Sequence, residues 1–226
     1  MILVTGNLHK VEEFERLMPG VSWEALSSWE LRERGERGAE IIEDADSFIG
    51  NAMIKAREGW RRTGQVSLAD DSGLCVDALN GAPGIYSARY APGSDRDRYE
   101  ALLKNLNAVD NADRSAHFYC ALAICGLSHQ HRTALQELES REESGAEMGE
   151  VKLWLGDCLV VTGICRGRIS AEPSGRGGFG YDPIFELSNG QSFASLTGED
   201  KDTYSHRGRA LRALDDLLRE KNIHFS

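Results

Sequence analysis

The opening residues MILVTGNLHKVEEFERLM limit the fold more than any later segment does. Ile2 to Thr5 is a short apolar run halted by Gly6-Asn7, and the residues that follow put Val11, Phe14, Leu17 and Met18 at helical spacing. A strand that feeds a helix through a tight turn is the unit from which α/β folds are built. A second helix is signalled by Ser47 as N-cap and by Phe48, Ala52, Ala56 and Trp60 repeating every four residues, with Gly64 as the stop. VSLA, residues 66–69, then reads as a strand that ends at Asp70-Asp71.

Further along, SDRDRYEALLKNLNAV predicts a helix capped near Ser94 or Asp95, with Tyr99, Leu102, Leu103, Leu106 and Val109 on its buried face. AHFYCALAICG reads as a buried strand. From Ser128 to Glu150 the composition turns charged and weakly periodic, which predicts an exposed excursion. VKLWLGDCLVVTGICRGRIS holds two or three β-rich runs, IFEL is a short one, and SHRGRALRALDDLLREK is a closing helix that buries Ala210, Leu211, Leu214, Leu217 and Leu218. No fixed-period repeat appears, which excludes a solenoid. The 226 residues suffice for a single α/β domain with one core, or for a domain with a small lobe attached.

Charge narrows the partners. With 26 Lys+Arg against 36 Asp+Glu, the formal charge of −10 argues against a life on the phosphate backbone of nucleic acid. An anionic small substrate would need a locally basic pocket and a metal ion. Cys75, Cys120, Cys125, Cys158 and Cys165 form no C-x-x-C pair and sit mostly in apolar stretches, so they read as reduced core thiols rather than a zinc site or disulfide framework. The N-terminus lacks a basic-then-apolar leader, and no apolar run approaches the roughly 18 residues of a membrane span, which points to the cytosol.

SGRGGFG matches G-x-G-x-x-G through Gly175, Gly177 and Gly180, but Glu172-Pro173 precedes it and Tyr181-Asp182-Pro183 follows, so the strand and helix of a dinucleotide fingerprint are missing. No P-loop is present. His129 and His131 read as solvated loop histidines, and Ser72 lacks the elbow of a hydrolase nucleophile. Three stretches carry more. TGNLHK sets Lys10 in a first helical turn, and SHRGRAL sets His206 and Arg207 behind the N-cap Ser205; the helix dipole disfavours cations there unless an anion binds. In SLADDSGLC, successive strand side chains face opposite ways, so one of Asp70 and Asp71 faces a site while the other accepts hydrogen bonds from a following turn. A capped turn is the plainer reading of the same residues.

TGNLHK, SFIGNAMIKA, LADDSGLCVDALNGAPGIYSARYA, GGFGYDPIF and SHRGRAL stand in an order and spacing that resembles the inosine triphosphate pyrophosphatase family across the whole chain. The resemblance implies one α/β domain over 1–226, an elongated two-lobed structure around a long mixed β-sheet with flanking helices, with a substrate cleft and a homodimer. It implies Mg²⁺-dependent hydrolysis of ITP, dITP and XTP between the α and β phosphates, releasing the monophosphate and pyrophosphate. Asp71 would be the general base and a metal-linked carboxylate, and Glu43 a second metal ligand. Thr5, Gly6, Asn7, Leu8, His9 and Lys10 would hold the triphosphate, with Ser72 nearby. Phe179, Gly180, Tyr181, Asp182, Lys201, His206 and Arg207 would form the nucleobase pocket. The sequence departs from the family at Glu43-Asp44-Ala45, where Glu-Thr-Gly is more usual, so Glu40 and Asp44 stand as alternatives to Glu43; the 128–150 excursion is also longer than usual. A nucleotide sensor that does not cleave, and a phosphatase that removes the terminal phosphate, are the competing readings; only the latter would release orthophosphate.

Overall fold

The structure, a computed structural model, describes residues 1–110, 113–135 and 152–225. In chain order its elements are β1 (Ile2–Val4), α1 (Leu8–Leu17), β2 (Glu24–Ala25), α2 (Leu26–Arg34), α3 (Phe48–Thr63), β3 (Ser67–Val76), α4 (Asp95–Asn107), β4 (Ser115–Cys125), α5 (His129–Leu135), β5 (Lys152–Leu155), β6 (Cys158–Ile169), β7 (Phe185–Glu186), α6 (Gly198–Tyr204) and α7 (His206–Glu220). Short 3-10 turns lie at Gly84–Arg89 and Asp182–Ile184. The seven strands form one mixed sheet in the order β2-β1-β3-β4-β6-β5, with β7 on β6. β1 runs parallel to β2 and β3, whereas β5 and β7 run antiparallel to β6.

The chain divides into two units, Met1–Asp71 with Cys120–Gly163 and Gly208–Ser226, and Ser72–Tyr119 with Ile164–Arg207. Each has its own apolar cluster, in place of the single core expected from length. In the first unit Leu3, Phe14, Leu68, Leu122 and Leu159 pack with Leu211, Leu214 and Leu217 of α7. Each such leucine, fully buried, contributes about 1.5–3 kcal/mol of transfer free energy. Gly59 on α3 meets Val4 and Ser67 so closely that a Cβ would collide with both, which is how α3 lies against β1 and β3. In the second unit Leu102, Leu103 and Leu106 of α4 pack with Leu74, Phe118, Phe185 and Phe193.

The helix limits follow their signals. The Ser47 side chain accepts from Gly50 N, and Gly64 ends α3. Ser94 and Asp97 form a capping box at α4. Val109, expected on the buried face, lies past the helix end and is 39 % exposed.

Three further expectations need correction. β3 does not stop at the aspartates but runs on to Val76, because Leu74 and Val76 restore the buried alternation beyond the polar interruption. The excursion begins as helix α5, with Leu135 in the first unit's core and its carbonyl accepting from Trp154 Nε1 at 3.3 Å; His131 packs edge-on against Phe225 rather than standing in solvent. The rest of that excursion, 136–150, lies outside the described residues. Cys125 and Cys158, expected as thiols, are disulfide-bonded: they end β4 and begin β6, neighbouring strands that a separation of 33 residues concealed. Cys75, Cys120 and Cys165 are free.

Candidate active site

β1 delivers the chain to the start of α1, where Asn7 caps the helix by accepting from His9 N at 3.0 Å, and Asn7 N itself donates to Thr5 Oγ1 at 3.1 Å. Gly6 is exposed, with open space where a Cβ would stand. Leu8 opens the helix, His9 points to solvent beside Glu12, and Lys10 reaches back to Asp70 in an ion pair. Asp70 is 2 % exposed and takes a second contact from Cys120 Sγ at 3.7 Å. Lys10 and Cys120 are thus two of the partners that hold the buried carboxylate.

Asp71, next along β3, faces α3. Asn51 Nδ2 donates to its Oδ2 at 3.2 Å and Lys55 Nζ lies 3.4 Å from its Oδ1. Asn51 Oδ1 meanwhile accepts from Ala45 N at 3.0 Å, which ties the preceding loop to the same point. That loop brings Glu43, whose Oε2 is 2.7 Å from Lys55 Nζ. Glu40 and Asp44 are exposed, so Glu43 is the carboxylate that converges with Asp71 on one ammonium. Burial pulls Lys55 down, but Asp71, Asp70 and Glu43 outweigh it and its pKa lies above the ordinary lysine value. Burial raises Asp71; Lys55 opposes the shift, Glu43 and Asp70 add to it, and the carboxyl ends above the ordinary aspartate range. Lys10 pairs with Asp70, while the single Lys55 ammonium serves both Glu43 and Asp71.

A second group of side chains lies in the second unit. Arg207, 2 % exposed, donates from Nη2 to Ser72 Oγ at 2.9 Å. The His206 ring stacks on Phe118 at 4.9 Å between centroids. In the glycine-rich loop, Asp182 Oδ2 accepts from Phe179 N at 2.9 Å and from Lys201 Nζ at 2.6 Å, and that ammonium stands 4.3 Å from the centre of the Phe179 ring. Gly178 takes φ +74° with the Asp182 carboxylate filling the space where a Cβ would stand, a position closed to any side chain. Gly180 N donates to Asp95 Oδ2 at 2.6 Å. Tyr181 is buried with its hydroxyl donating to Ser87 O at 2.9 Å, and burial pushes its phenol beyond the ordinary tyrosine range.

Sequence reasoning named no role for Asn51 or Lys55, though SFIGNAMIKA was on view. The signal was there: an amide and an ammonium at i and i+4 share one helix face, among the alanines that bury it.

These features define a mixed-sheet α/β protein with a carboxylate–ammonium centre on one strand and an aromatic–cation cluster in a glycine-rich loop. The chain belongs to the Ham1 family, which it matches over residues 1–217. It is 40 % identical over 223 residues to the dITP/XTP pyrophosphatase of Shigella flexneri, covering 97 % of this chain and 98 % of the relative. Identity to the dITP/XTP pyrophosphatase of Symbiobacterium thermophilum is 37 % over 218 residues, covering 96 % and 94 %. The solved structure of a HAM1 protein from Coxiella burnetii superposes with a TM-score of 0.76 at 34 % identity, covering 97 % of this chain and 98 % of the other.

Proposed function

We propose that the chain hydrolyses non-standard purine nucleoside triphosphates, ITP, dITP and XTP, between the α and β phosphates, releasing the monophosphate and pyrophosphate and so cleansing the nucleotide pool. The observation that carries this reading is the convergence of Glu43 and Asp71 on the Lys55 ammonium, with Asp71 held at a raised pKa. The substrate class is supported by relatives named dITP/XTP pyrophosphatase.

Two carboxylates that share one cation position suit a hard divalent ion, because Mg²⁺ takes one or two carboxylates and completes its shell with substrate phosphates. Among the described residues no group of three or more His, Cys, Asp or Glu could hold a metal without such help. Glu43 and Asp71 would hold the ion, which supplies charge neutralisation on the phosphoryl oxygens. The remaining work falls to the chain. Asp71, oriented by Asn51, takes a proton from the attacking water, and its raised pKa makes it a better base. Lys10 and the N–H groups at the start of α1 hold phosphate, with Lys55 beside the reacting centre. Phe179 stacks on the base while Lys201 and Asp182 fix its ring, and Arg207, set by Ser72, donates to the 6-oxo group. With this reading go a homodimer and a cytosolic setting, as the resemblance implies.

A panel of purine triphosphates assayed for pyrophosphate with and without Mg²⁺ tests it. ITP, dITP and XTP should release pyrophosphate in preference to ATP and only with the metal; no release from any of them would overturn the reading.

A further inference from the structure

On the second unit, a groove of about 450 Å³ opens where β4 begins and β6 pairs with β7. Arg114, Arg166 and Arg168 line it, against two carboxylates, Asp113 and Glu186. Positive charge gathered at one place on a chain of net charge −10 calls for a reason.

Among the described residues neither carboxylate forms an ion pair with Arg114 or Arg168. Asp113 Oδ1 accepts from both the backbone N–H of Ser115 at 2.9 Å and its hydroxyl at 2.8 Å, and these bonds hold the carboxyl below its ordinary range. Glu186 stands directly opposite Arg168 in the β6–β7 register, yet among the described residues no ion pair joins them. Arg168 interacts instead with Asp113 and Arg114 through space. Arg114 is pinned by neutral acceptors: Nε donates to Ile169 O at 2.7 Å, Nη2 to Ser170 O at 2.7 Å and Nη1 to Asn107 Oδ1 at 3.1 Å. Burial and the nearby Arg168 lower its pKa, and Glu186 offsets this only in part. Two guanidinium groups are therefore held near one another, one of them immobile. An oxyanion between them would remove the repulsion and accept the forked N–H geometry that arginine offers.

We propose that this groove is a binding site for a small multivalent oxyanion of the phosphate and pyrophosphate class, formed by residues distinct from those assigned to the triphosphate and the base. Its volume lies within the roughly 300–1,000 Å³ of small-molecule sites, so the phosphate can be free or carried on a nucleoside.

The test follows the amide resonances of Gly167 and Ser188 during titration of the whole chain with orthophosphate, pyrophosphate and inosine monophosphate at constant ionic strength. Pyrophosphate should saturate the shifts with a Kd below about 1 mM. Tighter binding of pyrophosphate identifies the free anion as the ligand; tighter binding of the monophosphate identifies a nucleotide phosphate. Arg168→Gln, an exposed position, should weaken saturation by about tenfold or more, equal to about 1.4 kcal/mol, and leave triphosphate turnover and melting temperature unchanged. Arg166→Gln should act in the same direction. Shifts that do not saturate, that sodium chloride reproduces, or that persist unchanged in Arg168→Gln would overturn the proposal. Unchanged turnover in that variant keeps this outcome separate from any failure of the proposed activity.

Discussion

Replacing Lys55 with methionine removes one buried ammonium and keeps most of the side chain's length. In the intact site Lys55 is 12 % exposed and lies 2.7 Å from Glu43 and 3.4 Å from Asp71. An opposite charge this close lowers a carboxyl pKa by about 1–3 units, or about 1.4–4 kcal/mol. Its loss should raise Asp71, already raised by burial, by about that much, toward the lower end because Lys10 is still close enough to act on it. Asp71 serves as a base only when ionised, so the acidic limb of kcat/KM should move to higher pH by about 1–2 units. Below the new pKa activity should fall about tenfold per pH unit, and raising the pH should restore it. Lost folding or a lost substrate contact would not be rescued in that way. The assay is pyrophosphate release across a pH series, with a thermal melt to confirm folding. A folded Lys55→Met enzyme whose acidic limb stays within about 0.3 units of the parent would refute the electrostatic account of Asp71.

Asp71→Asn should cost about 10²–10⁴ in turnover, as loss of a general base does. The same change should raise stability without metal, since Asp71's folded pKa exceeds its unfolded value and its charged form therefore disfavours the fold at neutral pH. The gain should appear in melts near pH 7, at about 2–4 °C per kcal/mol, and vanish as the pH falls below both pKa values and the parent Asp71 is protonated. Phe179→Ala should weaken all triphosphates alike, by about 1–3 kcal/mol of stacking, whereas Arg207→Gln should narrow the ITP-over-ATP ratio in kcat/KM; an unchanged ratio would remove Arg207 from base reading. Ser87→Ala strips the acceptor from Leu74 N and the donor from Gly84 O, both in the second unit, and should lower stability by about 1–3 kcal/mol in denaturant melts; a melt matching the parent would show that Ser87 is not a structural node.

The sequence showed α1, α3, α4 and α7 through signals that act locally, but not α2, α5 or α6. Ser47, Ser94 and Gly64 cap helices where periodicity begins or ends, and such chemistry depends only on near neighbours. β3 was misread because Asp70-Asp71-Ser72-Gly73 is good turn chemistry in isolation; its place beside β4 in the sheet, and the Lys10 ion pair made from 60 residues away, are long-range partners that no local pattern shows. The Cys125–Cys158 bond and the division into two apolar clusters are long-range facts of the same kind. In the candidate site, the Asp70-Asp71 pair was legible from the residues as a place for a cation, and the resemblance alone singled out Asp71. Lys55 went unnamed because nothing local says which acid a lysine on a helix will meet. Its partners, Glu43 and Asp71, stand 12 residues before it and 16 after it.

Phosphorus-31 NMR of ITP consumed by the enzyme with Mg²⁺ tests the claim at its base, because it shows which bond breaks. Cleavage between the α and β phosphates predicts inosine monophosphate and pyrophosphate as the first products, in equal amounts, with no diphosphate intermediate. Appearance of inosine diphosphate with orthophosphate would contradict the account and make the protein a phosphatase acting on the terminal phosphate.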